Sequence, residues 1–142
     1  MVGIDRWGKE YASFNQPLCE RNAQAEGIGN VSFQKGDACG LDFADETFDA
    51  VTSNYVYHNI TGRNKQALLR ESLRVLKKGG TFTIHDLMSL ARYGDMQRFA
   101  QELRDEGYDQ VRLIDTTKEL FMSPADAKWM MLGGSTLLVG RK

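Results

Sequence analysis

Phe48-Asp49-Ala50-Val51-Thr52-Ser53-Asn54-Tyr55-Val56-Tyr57-His58-Asn59-Ile60 is the stretch around which the rest of the chain can be placed. Its first half favours β structure and lacks clean polar/apolar alternation, the pattern of a strand buried on both faces. Its second half sets hydroxyls, an amide and an imidazole where such a strand ends. In an open α/β sheet, ligands sit beyond the carboxyl ends of the strands. Ala50, Val51 and Thr52 are therefore read as strand core, and the residues from Ser53 to His58 as the rim of a site.

A chain of 142 residues suits one domain, though it is short for a complete doubly wound enzyme. Apolar content of 42% and charged content of 26% describe an ordinary folded protein, and a net charge of -1 gives no general reason to expect nucleic acid as a partner. Acids cluster at Asp37, Asp42, Asp45, Glu46 and Asp49, and bases at Arg63, Lys65, Arg70, Arg74, Lys77 and Lys78, which reads as two solvated faces. Cys19 and Cys39 have neither metal-ligand spacing nor the density of a disulfide scaffold. With no apolar run near the ~20 residues that span a bilayer and no secretory pattern, a cytoplasmic protein without membrane contact is expected.

Met1-Val2-Gly3-Ile4 reads as a short strand ending in Asp5. An acid at such a tip accepts hydrogen bonds from ribose hydroxyls in nucleotide-binding folds, or serves as a cap. Trp7 can pack beside an adenine or cover a core edge. A helix follows over residues 15–26, with Asn15 or Gln16 as cap and Pro17 in the first turn. Val31-Ser32-Phe33-Gln34-Lys35 alternates as a strand, closed by Gly36-Asp37-Ala38; Asp37 can meet an adenine amino group or be a turn acid. Gly27-x-Gly29 follows a helix, so it is not a phosphate-loop fingerprint.

Residues 63–76 have helical spacing, with Leu69, Ser72, Leu73 and Leu76 on one face, Lys77 and Lys78 at the dipole's negative end and Gly79-Gly80 as the stop. Thr81 to Ile84 is a strand tipped by His85 and Asp86. A helix over 93–106, a strand over 111–114, a helix started by Ser123-Pro124-Ala125-Asp126 and a last strand from Ser135 to Gly140 complete the order. Trp129, Met130, Met131 and Leu132 read as packing residues. No composition break suggests a second domain.

Together these pieces resemble the class I S-adenosylmethionine-dependent methyltransferases. Val2-Gly3-Ile4-Asp5, Gly36-Asp37-Ala38, Phe48-Asp49-Ala50-Val51 with Ser53-Asn54, and above all Leu73-Arg74-Val75-Leu76-Lys77-Lys78-Gly79-Gly80 before Phe82 look like that family's strands and turns in order. The resemblance implies an α/β fold: a three-layer Rossmann-like sheet, mostly parallel with an antiparallel last strand. It also implies a partial domain over 1–142 that begins at the family's second strand. The family's first strand and glycine-rich loop have no counterpart among the fourteen glycines, so a truncated pocket, impaired methyl transfer and self-association through incomplete sheet edges are expected.

The implied cofactor is S-adenosylmethionine, held by Asp5, Arg6, Trp7, Asp37, Ala38 and Ser53. The implied acceptor is a small molecule, less readily a protein, lined by Asn54, Tyr55, Tyr57, His85 and Asp86. His58 is the first choice as catalytic base, since imidazole titrates near neutrality, with His85 and Asp86 second. No metal site is expected. Two alternatives stay open: a nicotinamide-dependent oxidoreductase on a similar fold, and a non-catalytic remnant or subunit. Against the first, Tyr11, Tyr57 and Tyr93 are followed four residues on by Asn15, Thr61 and Gln97 rather than by a lysine.

Overall fold

In the computed structural model, which describes residues 1–8, 13–118 and 121–142, the chain divides into two units, Met1–Asp42 and Phe43–Lys142. Tyr11, weighed above against an oxidoreductase, lies outside the described residues.

The first unit runs β1 (Val2–Asp5), α1 (Gln16–Ala25) and β2 (Ser32–Lys35). Helix α1 starts where Asn15 and Pro17 place it. The Asn15 side chain accepts from the Leu18 N–H at 3.0 Å, and Pro17 sits in the first turn, where no N–H is needed. Strands β1 and β2 pair in parallel, with Val2 opposite Ser32 and Asp5 opposite Lys35, as strands joined through a helix do. Among the described residues of this unit none is buried, so its strands and helix hold one another through half-buried contacts only.

The second unit contains β3 (Phe48–Asn54), a 3-10 turn (Tyr57–Asn59), α2 (Lys65–Arg74), β4 (Leu76–Leu87), α3 (Leu90–Tyr93), α4 (Met96–Asp105), β5 (Asp109–Asp115), α5 (Pro124–Trp129) and β6 (Ser135–Arg141). Its sheet has the order β3-β4-β6-β5. Strands β3 and β4 are parallel, and β6 runs antiparallel between β4 and β5, the expected closing arrangement. Phe82 and Ile84 on one face of β4 are buried with Leu69 and Leu73 of α2, Phe99 and Leu103 of α4, and Leu138 of β6. Arg70 ties α2 to α4, bonding Glu106 at 2.8 Å and lying 5.2 Å over the Phe99 ring. Because that pair is exposed it contributes little, and apolar burial carries the packing.

Five expectations are corrected here. Strand β3 is not buried on both faces: it pairs only with β4 among the described residues, and Ala50 and Thr52 are exposed. It also runs on to Asn54, so Ser53 and Asn54 belong to the strand. The helix over 63–76 stops at Arg74, and Leu76 already opens β4. Pairing then jumps from Leu76 opposite Phe48 to Thr81 opposite Ala50, so residues 77–80 bulge out of the strand, with Gly79 at φ +78. The end of α2 is capped by Lys142, whose Nζ donates to the carbonyls of Leu73 at 2.9 Å and Leu76 at 2.8 Å. The helix over 93–106 is broken at Gly94, φ +72, and restarts with Asp95 accepting from the Arg98 N–H at 2.9 Å. Trp129 and Met131, expected to pack, are 84% and 80% exposed.

Candidate functional site

The carboxyl end of β3 leads into a residue that L-amino acids rarely tolerate there: Tyr55, at φ +52. A non-glycine residue in this region carries strain of about 1 kcal/mol or more and persists only where its surroundings hold it. Here the Tyr55 N–H donates to the His85 carbonyl at 2.8 Å, its hydroxyl meets Ser135 Oγ at 2.6 Å, and its ring lies 4.6 Å from the His85 ring. The chain then turns inward as the 3-10 turn. Tyr57 is 4% exposed, with its hydroxyl 2.6 Å from Ser72 Oγ. Burial pushes that phenol up, against hydrogen bonds from Ser72 and Ser53.

The first N–H groups of the 3-10 turn have no partner within it. Asp86, at the end of β4 and 0% exposed, supplies one. Its Oδ2 accepts from the N–H of Tyr57 at 2.8 Å and of His58 at 3.3 Å. Its Oδ1 accepts from the Leu87 N–H and from His58 Nδ1, both at 2.6 Å. The Tyr93 hydroxyl is buried nearby without a well-angled partner among the described residues. Burial first, then the charge of Asp86, holds the Tyr93 phenol well above its usual value.

His85 is treated differently. Its Nδ1 faces Asn54 Oδ1 at 3.0 Å, and its Nε2 faces Thr116 Oγ1 at 3.0 Å and Ser135 Oγ at 2.9 Å. Thr116 and Ser135 are both 0% exposed. Burial lowers the pKa of His85, against an upward pull from Asp86. The Phe121 ring packs 5.7 Å from the imidazole and is itself largely exposed.

Three of the five residues expected to line an acceptor pocket are engaged within the protein. Asp86 is sealed and fully occupied by protein donors, and Tyr57 is a core residue. His85, the second choice as base, has both ring nitrogens engaged within the protein. Asn54 and Tyr55 remain at the rim, as does the His58 side chain, 18% exposed. Thr116 and Ser135, which complete the His85 network, and Ser72, placed above only on a packing face, were not expected as site residues. Hydroxyls far apart along the chain leave no local signal.

In the first unit, Asp5 and Asp37 stand at the same end of a parallel pair. Asp5 closes β1, Asp37 follows β2, and the Gly36 N–H donates to the Asp5 carbonyl at 3.0 Å. Each acid accepts the N–H two residues on, Asp5 from Trp7 at 2.7 Å and Asp37 from Cys39 at 2.8 Å. Both remain exposed, with Arg6 exposed and Trp7 and Ala38 half-buried beside them. Trp7 takes φ +42, so this tip is held in a rare conformation. Among the described residues no group of three or more acidic, histidine or cysteine side chains could hold a metal ion.

The sequence family described as a methyltransferase domain matches residues 1–84, more than half of the chain. The chain belongs to this methyltransferase family. An arsenite methyltransferase of Aquipseudomonas alcaligenes is 35% identical over 109 residues, which cover 75% of this chain and 29% of that protein. A ubiquinone/menaquinone biosynthesis C-methyltransferase of Marinomonas is 31% identical over 102 residues, covering 70% of this chain and 36% of its own. The chain thus spans about a third of the length of these relatives. Among solved structures, the YcgJ protein of Bacillus subtilis has a TM-score of 0.59 at 19% identity, covering 99% of this chain and 81% of its own. The phosphoethanolamine N-methyltransferase 2 of Haemonchus contortus, solved with S-adenosyl-L-methionine, has a TM-score of 0.64 at 16% identity, covering 99% and 43%. At these identities the structures show the Rossmann-like fold of the chain.

Proposed function

We propose that this methyltransferase uses S-adenosylmethionine to methylate a small-molecule nucleophile, with His58 as the base that takes the acceptor's proton. Family membership supports the reaction class, and relatives named for arsenite and quinone methylation support a small acceptor. The observation that carries the choice of base is the 2.6 Å bond from His58 Nδ1 to the buried Asp86.

The nucleoside half of the cofactor suits the first unit. Asp5 and Asp37 offer exposed carboxylates, which accept only, at one end of a parallel strand pair. Ribose hydroxyls and an adenine amino group are donors that match them. Arg6, Trp7 and Ala38 flank those acids. When bound, the cofactor supplies a methyl group on a sulfonium that departs as a neutral thioether. The chain's own task is to align the acceptor, exclude water and receive a proton. His58 Nε2 receives it as the acceptor's O–H or N–H bond breaks and its bond to the methyl carbon forms, while Asn54 and Tyr55 border the place where the acceptor sits.

The test is incubation with methyl-labelled cofactor and a panel of phenols, amines and thiols, read as acceptor-dependent product. The wild-type chain, or the longer protein that contains it, turns over at least one of them. His58→Ala lowers that rate by about 10²-fold or more while cofactor binding is retained, the usual effect of losing a positioned base. Turnover untouched in His58→Ala, or cofactor binding with no acceptor in any class, contradicts the proposal.

A further inference from the structure

We infer that Asp86 is the positioning residue of the site: it holds the His58 proton on Nδ1 and so leaves Nε2 as the bare nitrogen that faces an acceptor. This rests on the reading of His58 as the base and deepens it. A neutral imidazole carries one proton, and the nitrogen facing an acceptor-only group keeps it. Asp86 Oδ1 faces Nδ1 at 2.6 Å, and among the described residues nothing bonds Nε2. The same carboxylate fixes the backbone on which the ring is mounted, through the N–H groups of Tyr57 and His58. Ring orientation, tautomer and the turn itself therefore depend on one side chain that touches no substrate. Tyr57, Tyr93 and His85 are the other titratable groups facing it.

Asp86→Asn separates the structural role from the positioning role. The amide has one oxygen and one NH2. Turning NH2 toward Tyr57 and His58 would set it against two backbone donors, whereas turning it toward His58 costs only the Leu87 contact. The oxygen therefore stays on the backbone, the turn survives, and the NH2 donates to Nδ1. That drives the His58 proton to Nε2, where it can no longer accept.

The experiment is ¹⁵N NMR of the imidazole nitrogens at neutral-to-basic pH, on the full chain with no cofactor or acceptor present. Wild type shows a protonated, pyrrole-type Nδ1 and a bare Nε2 at His58. Asp86→Asn reverses the two, keeps the amide shifts of the β3–β4 region, and loses at least 10²-fold in acceptor methylation with cofactor affinity unchanged. A wild-type His58 protonated on Nε2 overturns the inference, even if the variant does not fold. So does a folded Asp86→Asn variant that keeps Nδ1–H. Because no turnover is needed, a correct tautomer in a chain that methylates nothing would count against the proposed function and leave the positioning role standing.

Discussion

His58 lies in the turn after β3 and His85 near the end of the neighbouring β4, and their surroundings differ. His58 has Nδ1 on a buried acid and a side chain that is partly exposed. His85 is folded into a hydroxyl network, and burial lowers its pKa. The sign of its pH effect follows. Its folded pKa lies below the ordinary 6.5, so the unfolded chain binds more protons as the pH falls beneath that value. Stability is full above the unfolded pKa and is lost as the pH drops from there through the folded pKa. Urea unfolding between about pH 5 and 8 is expected to show this decline, and His85→Gln to flatten it. Equal slopes in both chains would remove the desolvation account. At this scale the sequence was half legible. An imidazole just past a strand drew attention to His58, but Asp86, which it meets, lies 28 residues away, and the complete burial of that acid has no signature in composition.

Strand β6 shows how elements are fitted together. A Cβ on Gly140 would stand 2.5 Å from Cζ of Phe82, a ring only 1% exposed that has nowhere to go. Gly140→Ala is therefore expected to destabilise by about 1–3 kcal/mol, seen as a lower urea midpoint at unchanged slope. A midpoint within error of wild type would mean that the core yields more than this packing allows. Helix starts were readable because caps are local: Asn15, Pro17 and the Ser123–Asp126 box act within one turn. Helix α2 and strand β4 were misjudged at their junction because residues 77–80 carry a turn's residues inside a strand's pairing. The exposure of β3 could not be read either, since edge or centre is decided by neighbours distant in sequence.

Over the whole chain, apolar burial is concentrated in the second unit, while the first presents a parallel pair with two exposed acids at one end and no buried side chain among its described residues. No described helix is long and apolar enough to cross a membrane. The most exposed premise of the proposed function is that the acids at the ends of β1 and β2 grip an adenosyl group. A ¹H–¹⁵N NMR titration of the chain with S-adenosylmethionine tests that premise even where affinity is weak. Dose-dependent shifts at the amides of Asp5, Trp7, Asp37 and Ala38, abolished in Asp5→Ala, are the predicted result. Unmoved amides at those four positions up to the solubility limit of the ligand would contradict it.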